Sequence, residues 1–591
     1  LAYTRPYRAL MYGALALLCV EGGIQVAGPL LTKRVIDVAV PARDMGIVVT
    51  STILFLVLLV AEFALSYAQT WLTSLLGQRV MRDIRMQIFG HLQRLSVSFF
   101  DRNPAGRLIT RVTSDVETLN ELFTSGVVAG LGDLFTLVAI SVAMLILDWQ
   151  LALAAFAVIP FVVLVSSLFR KAVRNTYRDI RVRLARINSF LQERLTGMRI
   201  VQLFGQERRE AGRFDELNRS HLNAHLRSIT VYALYFPAIE LLTSVALAIL
   251  IVAGAARVEA GALSVGTVAA FLMLVRRFFQ PLQDLSEKYN ILQTAMASSE
   301  RIFGLLDTVP SVPDAPARAD LGRGVGVEVA FEDVWFAYDL AHLAKSTEHG
   351  AAQASPIEWV LKGVSFTARP GETLALVGHT GAGKTTIVNL LMRFYDPQRG
   401  RITINGIDIR TISLDDLRSL IGYVQQDIFL FAGDVATNIR LSNPLTDDEV
   451  ASAAREVGAD RIIRGFPRGY GQVLGERGAS ISVGERQLLS FARAIAANAP
   501  LLLLDEATSA VDSEIEAEIH AALGVLVAGR TTIAVAHRLS TIAGADDILV
   551  LHHGEVAERG THSELVRRGG LYSALWRLQA GEHDSLLPRA G

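Results

Sequence analysis

Six stretches of the chain, 10–32, 47–76, 126–147, 150–169, 234–256 and 264–285, are apolar over the roughly 20 residues needed to cross a bilayer. The links between them alternate. The first, third and fifth are short. The second and fourth are long and rich in arginine, with Arg79, Arg82, Arg85 and Arg94 in one and Arg170, Lys171, Arg174, Arg178, Arg181 and Arg183 in the other. Positive charge is retained on the cytoplasmic side, which puts both long links, Arg5, Arg8 and both termini in the cytoplasm. Apolar residues recur at helical spacing over 180–203, so this stretch reads as a helix continuing out of the membrane. No small-residue cleavage site follows the first apolar segment, so it is read as a span and not as a signal peptide.

The pattern changes after residue 306. A run rich in Pro, Gly and Asp (307–326) reads as a linker, and short apolar runs then alternate with helical periodicity. The expected organisation is a helical membrane domain (1–306) with long cytoplasmic extensions, the linker, an α/β nucleotide-binding domain (327–580) and a frayed tail (581–591). Residues 339–356 read as an inserted polar loop. The composition, 51% hydrophobic with 19% charged residues, sharpens this picture, because the apolar excess is concentrated in the first half. A net charge of −1 argues against a nucleic-acid partner, which requires a basic surface. The single cysteine, Cys19, has no disulfide or metal partner and is expected to be packed in the interior.

The second half carries nucleotide chemistry. Gly378, His379, Thr380, Gly381, Ala382, Gly383, Lys384 and Thr385 fit G-x-x-x-x-G-K-[ST]. In such a loop backbone N–H groups surround phosphates, the lysine reaches the outer phosphates and the hydroxyl reaches Mg²⁺. The apolar run 373–377 before it reads as a strand, and the spacing of Ile387, Leu390, Leu391 and Phe394 after it reads as a helix. The run 501–504 reads as a buried parallel strand ending at Asp505-Glu506. Asp505 is placed to orient Mg²⁺ and Glu506 to polarise the attacking water. A third apolar strand, 532–536, ends at His537, at the sheet edge where ligands bind.

Taken together these residues resemble an ATP-binding cassette exporter half-transporter, with six transmembrane helices fused to one nucleotide-binding domain. The resemblance spans nearly the whole chain. It implies that Tyr338 stacks on adenine, that Thr386 lines the nucleotide site, and that Gln426, with Thr385 and Asp505, serves Mg²⁺. By the same resemblance Gly475, Glu476, Arg477 and Gly478 form a loop toward the coupling helices. Ser509 and Asp512 contact the opposite subunit, and His537 reaches the γ-phosphate. SFFDRNPAGRLITRVTSDV and GMRIVQLFGQERRE resemble the two cytoplasmic links whose short coupling helices rest on nucleotide-binding domains.

One motif departs from the family. Where it has LSGGQ, this chain reads Ile481-Ser482-Val483-Gly484-Glu485. Val483 is expected to add bulk where backbone should approach closely and to remove glycine's freedom at φ > 0, and Glu485 to bring charge near the triphosphate. Intact Lys384, Asp505, Glu506 and His537 beside this altered signature point to a heterodimer with one competent and one degenerate site. A homodimeric lipid or drug exporter is the alternative. A nucleotide-gated channel or regulatory protein of the same architecture is opposed by the intact Glu506. The six fused spans exclude a soluble ATP switch. The expected activity is ATP-driven export of a hydrophobic or amphipathic drug, lipid or peptide across a bacterial cytoplasmic membrane. Among intramembrane polar residues (Glu21, Gln25, Glu62, Gln69, Asp133, Glu240), Glu240 is read as lining the path.

Overall fold

The structure, a computed structural model, describes residues 2–315, 326–338, 357–441, 443–478, 480–505, 513–535 and 542–579. Side chains at 2, 282–287, 289–290, 476, 513–517 and 579 are not described. Two compact units result. One holds Leu1–Arg94 and Asn103–Thr308, and the other holds Leu95–Arg102 and the chain from Val309 onward.

The first unit is helical. Among the described residues, five helices are long and apolar enough to cross a membrane: α1 (Tyr3–Ala42), α2 (Met45–Leu92), α4 (Ala105–Leu147), α5 (Trp149–Thr196) and α7 (Glu207–Glu259). The helix α3 (Val97–Arg102) lies between α2 and α4, and α6 (Met198–Leu203) between α5 and α7. A further helix, α8 (Val265–Leu306), covers the sixth apolar segment; Arg276 and Arg277 interrupt it, and it runs into side chains outside the described set. At 1.5 Å per residue, α7 with its 53 residues is roughly 80 Å long, far more than the ~30 Å hydrocarbon core. The excess carries Arg208, Arg209, Arg213, Arg219 and Arg227. The stretch 180–203 is not one helix: Gly197, at φ −89° and ψ 17°, closes α5, and α6 starts anew.

Helix packing is dense on one side of this unit, where Ile140, Met144, Leu151, Tyr235, Leu250 and Phe271 form a buried cluster. Cys19 departs from the expectation of interior packing, because it is exposed on α1. On a spanning helix an outward face meets hydrocarbon, and a thiol behaves there as a small apolar group. Glu240 is likewise exposed on α7.

The second unit is built on two larger sheets. In the antiparallel one the order is β2 (Leu361–Ala368), β1 (Val329–Phe336), β4 (Arg399–Ile404), β5 (Ile407–Asp408). In the other the order is β12 (Glu555–Gly560), β11 (Asp547–His552), β3 (Thr373–Val377), β10 (Thr531–Val535), β9 (Leu501–Asp505), β6 (Ile421–Val424). All neighbours in this sheet are parallel except β11 and β12. A short antiparallel pair, β7 (Gly433–Asp434) and β8 (Val473–Leu474), lies apart.

The unbroken apolar run of β9 has a direct cause. Leu501 and Leu503 join the core between the sheets, while Leu502 and Leu504 join a second core under the helices. A strand buried on both faces has no polar alternation to show. Val309–Ala315 also belongs to this unit: Val312 is buried, and Pro313 O accepts from the buried Arg393 guanidinium at 3.0 Å.

Candidate functional site at the carboxyl edge of the parallel sheet

The phosphate loop leaves the end of β3 and enters the helix α9 (Lys384–Leu391). Its glycines are required by close approach. A Cβ on Gly378 would stand 2.4 Å from Leu551 O, and one on Gly383, at φ +102°, would stand 2.6 Å from Leu361 Cδ2. The Lys384 ammonium donates to Gly378 O at 2.6 Å and to His379 O at 3.1 Å. Ala382 is buried, whereas His379, Thr380, Gly381 and Thr385 are exposed. A loop closed to side chains at its glycines, with a lysine turned back across it and a helix N-terminus behind it, fits a polyphosphate.

Thr386 is buried, and its hydroxyl lies 3.1 Å from that of Tyr338. Tyr338 stands edge-on to Phe336 and Tyr395, with ring centroids 4.8 and 5.1 Å away. Its carbonyl accepts from Arg102 Nη2 at 3.1 Å. Arg102 belongs to α3, the short helix of the first cytoplasmic link. Ser96 of the same link accepts from Val312 N at 3.0 Å, and Asp101 accepts the Tyr395 hydroxyl. Burial and that carboxylate raise the Tyr395 phenol well above its ordinary value. The segment Leu95–Arg102 thus rests on the nucleotide-binding fold, beside the aromatic matched to the adenine position.

Asp505 ends β9 and is only 5% exposed. It pairs in register with Val535 of β10, the strand between β9 and the phosphate-loop strand. Sequence reading gave Asp505 no partner on the protein. The structure supplies Tyr423 of β6, whose hydroxyl bonds the carboxylate; burial, with the charge of Asp505 and this bond, pushes the phenol up to about 12. Tyr423 was detectable only as the aromatic in IGYV, two residues along a parallel strand neighbouring β9. Gln426 is exposed in the turn after β6. Glu506, Ser509, Asp512 and His537 lie outside the described residues.

The altered signature forms an ordinary helix start. Ser482 caps α10 (Val483–Ala496): its Oγ accepts from Glu485 N at 3.2 Å, and Glu485 Oε2 accepts from Ser482 N at 2.6 Å. Val483 is the first helical residue and has no positive φ. The expectation that it removes a needed φ > 0 therefore fails, because helical backbone at this position suits any L-residue. The expected bulk is there, as an exposed isopropyl group, 44% accessible. Gly484 is buried. Arg486, which motif reading passed over, donates to Gly478 O at 3.3 Å and Ile481 O at 3.0 Å, tying the 475–478 loop to the signature. Arg477 (φ 56°) and Gly478 (φ +63°) make that loop's left-handed bend, and Gly475 precedes it.

The membrane unit holds a polar cavity of ≈ 600 Å³ lined by Gln69, Thr73, Asn120, Thr124, Ser125 and Lys288 among others. Lys288 is ion-paired with Asp133. Lower on the same helices, Asp115 receives two guanidinium bonds from Arg301, at 3.0 and 2.6 Å, and one from Ser298.

Residues 11–282 match the family model of the ABC transporter transmembrane region, and residues 361–509 that of the ABC transporter. The chain is 37% identical over 582 residues to the uncharacterized ABC transporter ATP-binding protein YknV of Bacillus subtilis, covering 98% of this chain and 94% of that one. It is 38% identical to the probable multidrug resistance ABC transporter ATP-binding/permease protein YheH of Bacillus subtilis, covering 90% and 76%. To the ATP-dependent lipid A-core flippase of Syntrophus aciditrophicus it is 35% identical, covering 98% and 94%. Among solved structures, a bacterial Atm1-family ABC exporter with ATP bound matches at 28% identity and a TM-score of 0.77, over 98% of this chain and 99% of the other. The chain belongs to the ABC transporters: it is an exporter that joins a membrane-spanning helical domain to a cytoplasmic ATP-binding domain and couples ATP hydrolysis to transport.

Proposed function

We propose that this chain is one half of a heterodimeric exporter in a bacterial cytoplasmic membrane, moving an amphipathic or hydrophobic substrate outward. The observation that carries the reading is the contrast between its two nucleotide-facing surfaces. The phosphate loop keeps every residue its chemistry needs, whereas the signature presents the exposed Val483 and the anionic Glu485. In a head-to-tail pair each signature faces the other subunit's phosphate loop. This chain then supplies the competent Walker residues to one site and the altered signature to the other.

Bound ATP supplies the phosphoanhydride whose hydrolysis drives the cycle, with Mg²⁺ held by Thr385, Gln426 and Asp505 neutralising its charge. Lys384 exchanges its loop carbonyls for phosphate oxygens. Tyr423 holds Asp505 in place, Glu506 orients and polarises water, and His537 contacts the terminal phosphate. Ser509 and Asp512 meet the partner. The polar cavity with Lys288 supports a substrate that has a polar head as well as an apolar body. Relatives named as a lipid A-core flippase and a fatty acid transporter are consistent with that class.

A homodimer is the second reading, favoured by the intact capping box of Ser482 and Glu485, which shows a well-formed signature helix. Purifying the full chain alone in lipid nanodiscs separates the two. The heterodimer predicts little substrate-stimulated ATPase until a second half-transporter is supplied. A stable homodimer with full substrate-stimulated turnover at both sites overturns it.

A further inference from the structure

Three histidines meet on the flank of the phosphate loop. Strands β3 and β11 run parallel with Leu376 opposite Leu549 and Val377 opposite Val550, so the residues leaving them continue side by side. Gly378 presses against Leu551 O, which brings His379 next to His552 and His553. The β11–β12 turn is itself fixed. His553 is left-handed at φ 48°, Lys362 N donates to Gly554 O at 2.8 Å, and a Cβ on Gly554 would stand 2.3 Å from Val360 O.

The ring centroids of His379 lie 5.3 Å from those of both His552 and His553, which are 4.2 Å from each other. One ring nitrogen from each of the three lies within 4.8 Å of the others. His379 Nδ1 is 2.9 Å from Thr380 O. A carbonyl only accepts, so Nδ1 carries the proton and Nε2 keeps the lone pair. A ring nitrogen fixed in this way by a backbone carbonyl is the usual support of a metal-ligating histidine.

We propose that His379, His552 and His553 form a binding site for a borderline divalent d-block cation of the Zn²⁺ class. Metal–nitrogen bonds of about 2.0–2.1 Å in tetrahedral array put ligand nitrogens about 3.3 Å apart, so the rings must close slightly. His553 is exposed and supplies the closing movement, the half-buried His552 serves as the anchor, and His379, held at Nδ1 by Thr380 O, presents Nε2. Water completes the coordination. Neutral imidazoles select Zn²⁺, Cu²⁺, Ni²⁺ or Co²⁺ over Mg²⁺, which keeps this site distinct from the oxygen-ligand set of Thr385, Gln426 and Asp505.

Such a cation ties the phosphate loop to the β11–β12 turn through His379. It favours the loop conformation in which Lys384 is bonded to the carbonyls of Gly378 and His379. ATP must displace those bonds, so cation and nucleotide oppose each other, and by linkage each weakens the other equally.

The test uses the full chain with a tag free of histidine, metal-stripped, in nanodiscs. Co²⁺ titration followed by its visible d–d absorption is expected to saturate near one ion per chain in the micromolar range, with Zn²⁺ displacing it. His552→Gln and His553→Gln are each expected to weaken binding at least tenfold and to leave basal ATPase unchanged, since neither lies in the phosphate loop. Zn²⁺ is expected to weaken a fluorescent ATP analogue a few-fold in the wild type and not in either variant. Co²⁺ binding that is equal in wild type and both variants, or that only appears unsaturated at millimolar concentration, overturns the site. Saturable binding with unchanged nucleotide affinity overturns its link to the loop.

Discussion

At the scale of single residues, the informative contact in the ATP site is the one motif reading could not supply. In the proposed site Asp505 serves Mg²⁺ from a strand end, and Tyr423 reaches its carboxylate from the neighbouring strand. A hydrogen bond to a charged group contributes about 1.5–3 kcal/mol. Tyr423→Phe removes the donor and leaves the ring, so the sheet is expected to remain intact. The apparent Mg²⁺ affinity of ATPase should then fall about tenfold, with nucleotide binding in the absence of Mg²⁺ unchanged. Because the phenol is pushed up to about 12, it stays protonated throughout the working range. The wild-type to variant ratio should therefore be flat between pH 6 and pH 9. A Mg²⁺ titration that superimposes on the wild type would show that the hydroxyl only satisfies the core.

At the scale of elements, the start of α10 decides how the altered signature behaves. The reciprocal Ser482–Glu485 bonds stabilise the helix end, and a glutamine at 485 can make the same pair without the charge. Val483→Gly with Glu485→Gln is thus expected to keep the fold and remove both obstacles toward the facing site. In the assembled transporter, turnover should rise a few-fold, measured as phosphate release at saturating ATP; no rise would mean the signature does not limit the weaker site.

The same motif recurs at Thr446–Glu449 and Thr561–Glu564, where the backbone N–H of the capping threonine, then its hydroxyl, holds each glutamate below its ordinary value. A depressed folded pKa contributes stability above the unfolded value and loses it as pH falls through the folded one. Glu449→Gln with Glu564→Gln should therefore flatten the acid limb of the thermal unfolding midpoint below about pH 4.3. An unchanged limb would place that acid sensitivity elsewhere.

These elements also mark what was legible beforehand. The runs 373–377 and 501–504 coincide with β3 and the body of β9, because a strand buried on both faces must be apolar throughout. The six apolar segments fall on long helices for a different reason, since the outer face of a span meets hydrocarbon and must itself be apolar. Three readings depended on more than local pattern. The break at Gly197 is invisible to periodicity, since one glycine is tolerated in a helix. At Val483 the motif suggests a positive φ, whereas the backbone there is helical. Tyr423 on Asp505 and the three clustered histidines arise from strand register, which joins residues some 80 and 170 positions apart and leaves no trace in spacing.

At the scale of the whole molecule, the two links between spans belong to different units. Leu95–Arg102 is bonded to the chain's own nucleotide-binding fold through Ser96, Asp101 and Arg102. In the second link, Ile200, Leu203 and Phe204 are 59, 76 and 65% exposed on and after α6, between helices whose outer residues are charged. Apolar side chains outside the apolar segments gain by burial against protein, and the nucleotide-binding domain of the proposed second subunit is the surface we assign to them. Burying one such side chain contributes about 1.5–3 kcal/mol. Leu203→Ser with Phe204→Ser should therefore uncouple the transporter without unfolding it. ATP affinity and basal hydrolysis should stay within about twofold of wild type, while substrate-stimulated ATPase and uptake into inverted vesicles fall at least tenfold. Retained transport in this variant would show that α6 carries no force between subunits and that coupling runs through the first link alone.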